Sequence, residues 1–179
     1  MAANIININS YTPNPNDSFF FDNNVWMYLF CPLGNYNANK QSAYSSFLQR
    51  IRSSKSAVYL NSMVLSEFAN TYLRLDFGQW KDATENYSAD FKRDYVGTQQ
   101  YKNTTDEIRI HINTILGICE RITDSFSGIN MTEVLKHFQN IDFNDSYYIE
   151  LGEQWKFVTD DRDFTSYTNH DLDVITFGN

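Results

Sequence analysis

The sequence predicts an α/β fold with a mostly parallel central sheet. Short continuous apolar runs, suited to strands buried on both faces, alternate with longer segments of helical periodicity. The runs are Ser18–Phe21, Ala57–Leu60, Trp155–Val158 and Leu172–Phe177. This alternation is the pattern of strand–helix–strand crossovers. With 179 residues, 42% of them hydrophobic, the chain can bury one substantial core, so global disorder is excluded.

Residues 1–17, rich in Asn and carrying Pro13 and Pro15, predict a flexible lead-in or at best an edge extension. Residues 18–179 predict a single domain. After Phe21, Asn23 to Phe30 predicts a short helix stopped by Pro32 and Gly34. Tyr44, Phe47, Leu48 and Ile51 mark the apolar side of a helix over Gln41–Ile51. Asn61 and Ser62 cap a helix to about Leu75, with Glu67, Asn70 and Arg74 on a polar flank. Asp76 to Asn103 is mixed and aromatic, with helix expected around Asp82–Val96. Thr104-x-x-Glu107 has capping-box form and opens a helix through Ile122, although Ile108, Ile110 and Ile112 also alternate like a strand. Asn130 with Glu133 begins a helix through Phe138, and Asp142 to Asp145 leads into another from Ser146 to Glu153.

The formal net charge is −8. A chain that binds nucleic acid chiefly by phosphate neutralisation is usually basic. The distribution is uneven, however. No Asp or Glu occurs from Asn23 to Ser66, where Lys40, Arg50, Arg52 and Lys55 fall, so a local basic face is open, as is the plainer reading of solvated charges. Cys31 and Cys119 lie in apolar stretches outside any C-x-x-C pattern and read as free thiols. With no signal-peptide pattern at the start and no apolar run of spanning length, the sequence predicts a cytoplasmic protein without a membrane segment.

Parallel sheets bind ligands at the carboxyl ends of their strands. Two strands end there in carboxylates, Asp22 and Asp161, while Glu67 and Asp145 stand near the starts of following helices. Bare carboxylates about 4 Å apart repel by about 4 kcal/mol at a surface-like dielectric. Either their pKa values rise or a divalent cation joins them. Oxygen-only donors suit Mg²⁺ or Mn²⁺, and His111, His137 and His170 have no metal-ligand spacing. Each acid also has a bland reading. Asp22 and Asp145 are favoured helix caps, Glu67 could pair with Arg74, and Asp160, Asp161 and Asp163 could form an exposed acidic turn. Asp142 rivals Asp145.

Phe19-Phe20-Phe21-Asp22-Asn23-Asn24-Val25-Trp26 resembles the first strand and hydrophobic-Asp-x-Asn signature of the PIN domain family. Ser66-Glu67-Phe68 after the Val58–Asn61 strand, Asn144-Asp145 before Tyr147-Tyr148-Ile149, and Val158-Thr159-Asp160-Asp161-Arg162-Asp163-Phe164 are similar to the family's later motifs in order and spacing, over about residues 18–177. The resemblance implies a three-layer α/β/α fold and a metal-dependent endoribonuclease. Asp22, Glu67, Asp145 and Asp161 would hold Mg²⁺ or Mn²⁺, with Thr159 and Asn24 as supporting groups and Lys40, Arg50 and Arg52 guiding RNA phosphates. It further implies a toxin–antitoxin role with a small antitoxin partner, and homodimers. Position 160 is Asp where the family commonly has Asn, and the 76–103 segment is longer than in compact members. The rival expectations are a catalytically inactive PIN-like module binding protein or RNA, and a metal phosphoesterase acting on small molecules or DNA flaps.

Overall fold

In the computed structural model, which describes residues 3–152, 154–167 and 169–178, the central apolar runs form strands as their patterning predicts. Strands β1 (Asn4–Asn7), β2 (Ser18–Phe21), β3 (Ala57–Leu60), β4 (Glu120–Arg121), β5 (Lys156–Val158) and β6 (Asp173–Thr176) make one sheet in the order β1-β6-β5-β2-β3-β4. Every neighbouring pair is parallel. The helices are α1 (Asn23–Phe30), α2 (Ala38–Ser54), α3 (Ser62–Thr84), α4 (Gln99–Ile118), α5 (Met131–His137), α6 (Phe143–Leu151) and α7 (Asp163–Ser166), with a π-helical turn at Phe91–Tyr95.

Strand order and handedness fix the layers. The chain steps one way from β2 to β3 to β4 and back from β4 to β5 to β6. Right-handed crossovers therefore put α1–α4 on one face and α5–α7 on the other. Ring contacts agree. Phe21 packs on Trp26 of α1 with centroids 5.1 Å apart, and Phe19 meets Phe47 of α2 at 5.5 Å. From the opposite face Phe20 meets Tyr148 of α6 at 5.4 Å, and Phe157 meets Phe164 of α7 at 4.4 Å. The result is a three-layer α/β/α arrangement. Connections diverge at the seam between β2 and β5, which is where open parallel sheets place their ligands.

Several expectations change. The lead-in is not merely loose: Asn4–Asn7 forms an edge strand on β6, so the sheet begins before residue 18. The helix expected to stop near Leu75 runs on to Thr84. Its buried stripe continues through Asp76, an acid at a core position, where an apolar pattern breaks off in sequence. The expected helix over Asp82–Val96 is instead the end of α3 followed by the π-helical turn. The capping box at Thr104 is not a helix start. α4 begins at Gln99, with the Thr98 hydroxyl accepting from Tyr101 N at 3.1 Å, and Thr104 is turned inward. Among the described residues no helix is long and apolar enough to cross a membrane.

Candidate functional site

Asp22 follows β2 directly and caps α1, its Oδ1 accepting from Asn23 N at 2.6 Å. Capping uses only one oxygen. Oδ2 accepts from the Asn24 amide at 2.6 Å and from the Thr159 hydroxyl at 2.7 Å. Thr159 follows β5 across the seam, where Asp22 N also donates to Val158 O. The Thr159 Oγ1 in turn accepts from Asn24 Nδ2 at 3.0 Å and from Asp161 N at 2.9 Å. Asn24 completes the loop by accepting from Asp160 N. The ends of β2 and β5 are thus tied by one polar network, and Asp22 and Thr159 are both buried within it.

Asp145 enters from the other face. The residue capping α6 is Asp142, whose Oδ1 accepts from Asp145 N at 2.9 Å. This separates the two rival acids: Asp142 does the capping, and Asp145 sits in the first turn, only 6% exposed. Among the described residues no donor hydrogen-bonds the Asp145 carboxylate. Burial, then the charges of Asp22, Asp142, Asp161 and Asp163, push its pKa up to about 9. Asp22 is pushed up to about 7, chiefly by burial, with Glu67 and Asp161 adding repulsion against the hydrogen bonds that lower it. Asp163, largely in solvent, is raised by burial and by Asp161 and Asp142.

Glu67 projects from the second turn of α3, whose start is fixed by Asn61 Oδ1 accepting from Val64 N. Its carboxylate accepts from the Asn144 amide and from the Tyr148 hydroxyl, the latter at 3.0 Å. Burial raises its pKa, opposed by those two donors. Asn144 and Tyr148 are functional neighbours that sequence reasoning missed. Their four-residue spacing, which puts both on one side of α6, was the available signal.

Four candidate acids therefore come together at the seam: Asp22, Glu67, Asp145 and Asp161, with Asp142 and Asp163 at the margin. Among the described residues none of the six forms an ion pair with Lys or Arg. Asp160 does not join them. Its carboxylate is taken by Lys40 Nζ at 2.6 Å, the Tyr28 hydroxyl at 2.7 Å and the Tyr44 hydroxyl at 3.3 Å. Lys40 is thereby spent on this pair rather than free for phosphate. Arg50, also expected to guide RNA, donates to Ile8 O at 2.7 Å and lies over the Phe47 ring, so it anchors the N-terminal segment. Arg52 stands in the last turn of α2, which feeds the start of β3, at the edge of the sheet opposite the acids.

Among the described residues no three His, Cys, Asp or Glu side chains stand as a ready-made ligand set. The oxygens of Asp22 and Glu67 accept hydrogen bonds, as does Asp161 Oδ1 from Asp163 N. The donor set is nonetheless all oxygen, and Asp145 is a buried carboxyl group to which no donor is hydrogen-bonded among the described residues. That chemistry fits a hard cation, and Mg²⁺ commonly keeps several waters and needs only one or two carboxylates directly. No family model, curated protein or solved structure matches this chain.

Proposed function

We propose that this chain is a metal-dependent endoribonuclease of PIN type, hydrolysing RNA phosphodiester bonds at the acid cluster with Mg²⁺ or Mn²⁺. The observation that carries the proposal is Asp145. It is a nearly buried carboxyl group without a hydrogen-bond donor among the described residues, pressed by four other acids. Holding such a group costs stability unless a cation offsets it.

In this reading Asp145 and Asp161 would be the oxygen donors that hold the ion, with Asp22 as a further donor. Asn24 and Thr159 fix the Asp22 rotamer, and Asn144 and Tyr148 fix that of Glu67. A bound cation supplies an activated water and stabilises charge on the scissile phosphate.

The test is cleavage of RNA by purified protein in Mn²⁺ or Mg²⁺. Asp145→Asn and Asp22→Asn are expected to abolish cleavage while far-UV circular dichroism stays unchanged. Cleavage that survives both substitutions rejects the mechanism.

A second reading, a catalytically inactive PIN-like module that binds RNA or protein, is favoured by one observation: Asp22 and Glu67 have their oxygens already engaged. Calorimetry with Mn²⁺ separates the two. Binding that is lost in Asp145→Asn supports the nuclease, and the absence of binding supports the module.

A further inference from the structure

Arg74 lies two turns after Glu67 on α3. At 3.6 residues per turn it returns to within about 20° of the same side, about 10 Å further along the axis. Asn70 stands between them, so one flank of α3 leads from the acid cluster to a cation.

The segment after α3 doubles back onto this flank. Phe91 and Lys92 of the π-helical turn close a groove of ≈ 270 Å³ with Asn70, Arg74 and Asp90. The Asp90 side chain is occupied, its Oδ1 accepting from the backbone N–H groups of Lys92 and Arg93 at 3.0 and 2.9 Å. Arg74 and Lys92 are exposed, and neither forms an ion pair among the described residues.

The groove is built in advance of any ligand. The buried Asp76 carboxylate accepts from the Tyr95 hydroxyl, from Gln100 Nε2 at 2.8 Å and from Thr104 Oγ1 at 2.8 Å. The Phe91 ring meets Phe77 edge-on at 5.3 Å. Together these hold the turn against α3 and set Lys92 beside Arg74.

We propose that this groove is a substrate subsite for single-stranded RNA. Arg74 and Lys92 take a backbone phosphate, and the half-buried Phe91 ring takes an unpaired base, one or two nucleotides from the scissile bond. Two unpaired cations beside an aromatic ring are the combination that recognises single strands. The direction of the strand, from the acids toward the groove, rests on the ribonuclease reading, whereas RNA binding in the groove does not.

The double variant Arg74→Ala/Lys92→Ala changes only exposed side chains. An RNA of roughly a dozen nucleotides reaches the groove, and a dinucleotide held at the acid cluster does not. In Mn²⁺ the variant is expected to lose roughly tenfold in kcat/KM on the longer RNA and to keep its rate on the dinucleotide. Freeing the one phosphate that the two cations neutralise also flattens the log–log salt dependence of binding by roughly 0.7. Arg74→Lys/Lys92→Arg is expected to retain most of the affinity. Affinity for the longer RNA, read by fluorescence anisotropy, tests the groove without turnover. A wild-type chain that binds the RNA, with loss of affinity in the double variant, supports the subsite even if neither RNA is cut, an outcome that would remove the nuclease alone. Equal affinity of the double variant, or no binding by the wild-type chain, overturns the subsite.

Discussion

The Thr159 hydroxyl donates to Asp22 Oδ2 at 2.7 Å across the seam between β5 and β2, joining residues 137 positions apart in the chain. Thr159 Oγ1 itself accepts from Asp161 N, so one hydroxyl sets both the Asp22 rotamer and the backbone that carries Asp161.

Replacing Thr159 with Val keeps the shape and removes the hydroxyl. Asp22 then loses a donor, and Asp161 N and Asn24 lose an acceptor in a buried site. The expected loss of stability is about 1–3 kcal/mol, measured by urea unfolding. Thr159→Ser restores the hydroxyl and is expected to recover most of it. A Thr159→Val chain as stable as the wild type contradicts the network.

Asp145 links stability to pH. In the folded chain it keeps its proton up to about pH 9, whereas the ordinary value is 3.8. The folded state therefore holds the extra proton between those limits, and its contribution to stability declines as pH rises through that window. Without divalent cation, Tm is expected to fall between about pH 5 and pH 8. Asp145→Asn removes this decline. Added Mn²⁺ raises the wild-type Tm more at the upper pH than at the lower, and leaves Asp145→Asn unmoved.

Asp76 fastens the segment that follows α3. Asp76→Ala leaves the Tyr95, Gln100 and Thr104 donors without their acceptor, and a loss of about 3 kcal/mol is expected. Trypsin is then expected to cut after Lys92 or Arg93 well before the rest of the domain is digested. Uniform digestion would show that the segment is held by its aromatic contacts alone.

Arg50 and Arg52 are expected to behave differently. Arg50→Ala removes the bond to Ile8 O and the contact with the Phe47 ring, at a cost of about 1–2 kcal/mol. The exposed Arg52→Ala stays within about 0.5 kcal/mol of wild type. Chemical denaturation reads both, and RNA affinity is expected to be unchanged in Arg52→Ala.

The central sheet was legible because it depends on local signals. Ser18–Phe21 and Ala57–Leu60 are continuous apolar runs, and parallel strands that end in Asp22 and Asp161 must present them at one edge. Positions governed by tertiary partners were not legible. Asp76 is an acid at a core position, readable only once Tyr95 and Thr104 are seen to satisfy it. β4 spans two exposed residues and is defined by its pairing with Tyr59 and Leu60 rather than by its own pattern. Lys40 and Arg50 looked alike as isolated charges, yet one is bound to Asp160 and the other to a backbone carbonyl. The resemblance favours Asp145 over Asp142, and the physical difference between them, a cap against a buried first-turn acid, is seen only in α6 itself.

Both borders of the sheet are poor templates for another chain. On one side the outermost strand contributes only Glu120 and Arg121, both charged and exposed. On the other the border is Asn-Ile-Ile-Asn, with the Asn4 side chain turned back to Asp173 at 2.8 Å. Edges this brief and polar offer little length for intermolecular strand pairing. The apolar interior strands of the sheet are therefore bordered on both sides by short polar ones.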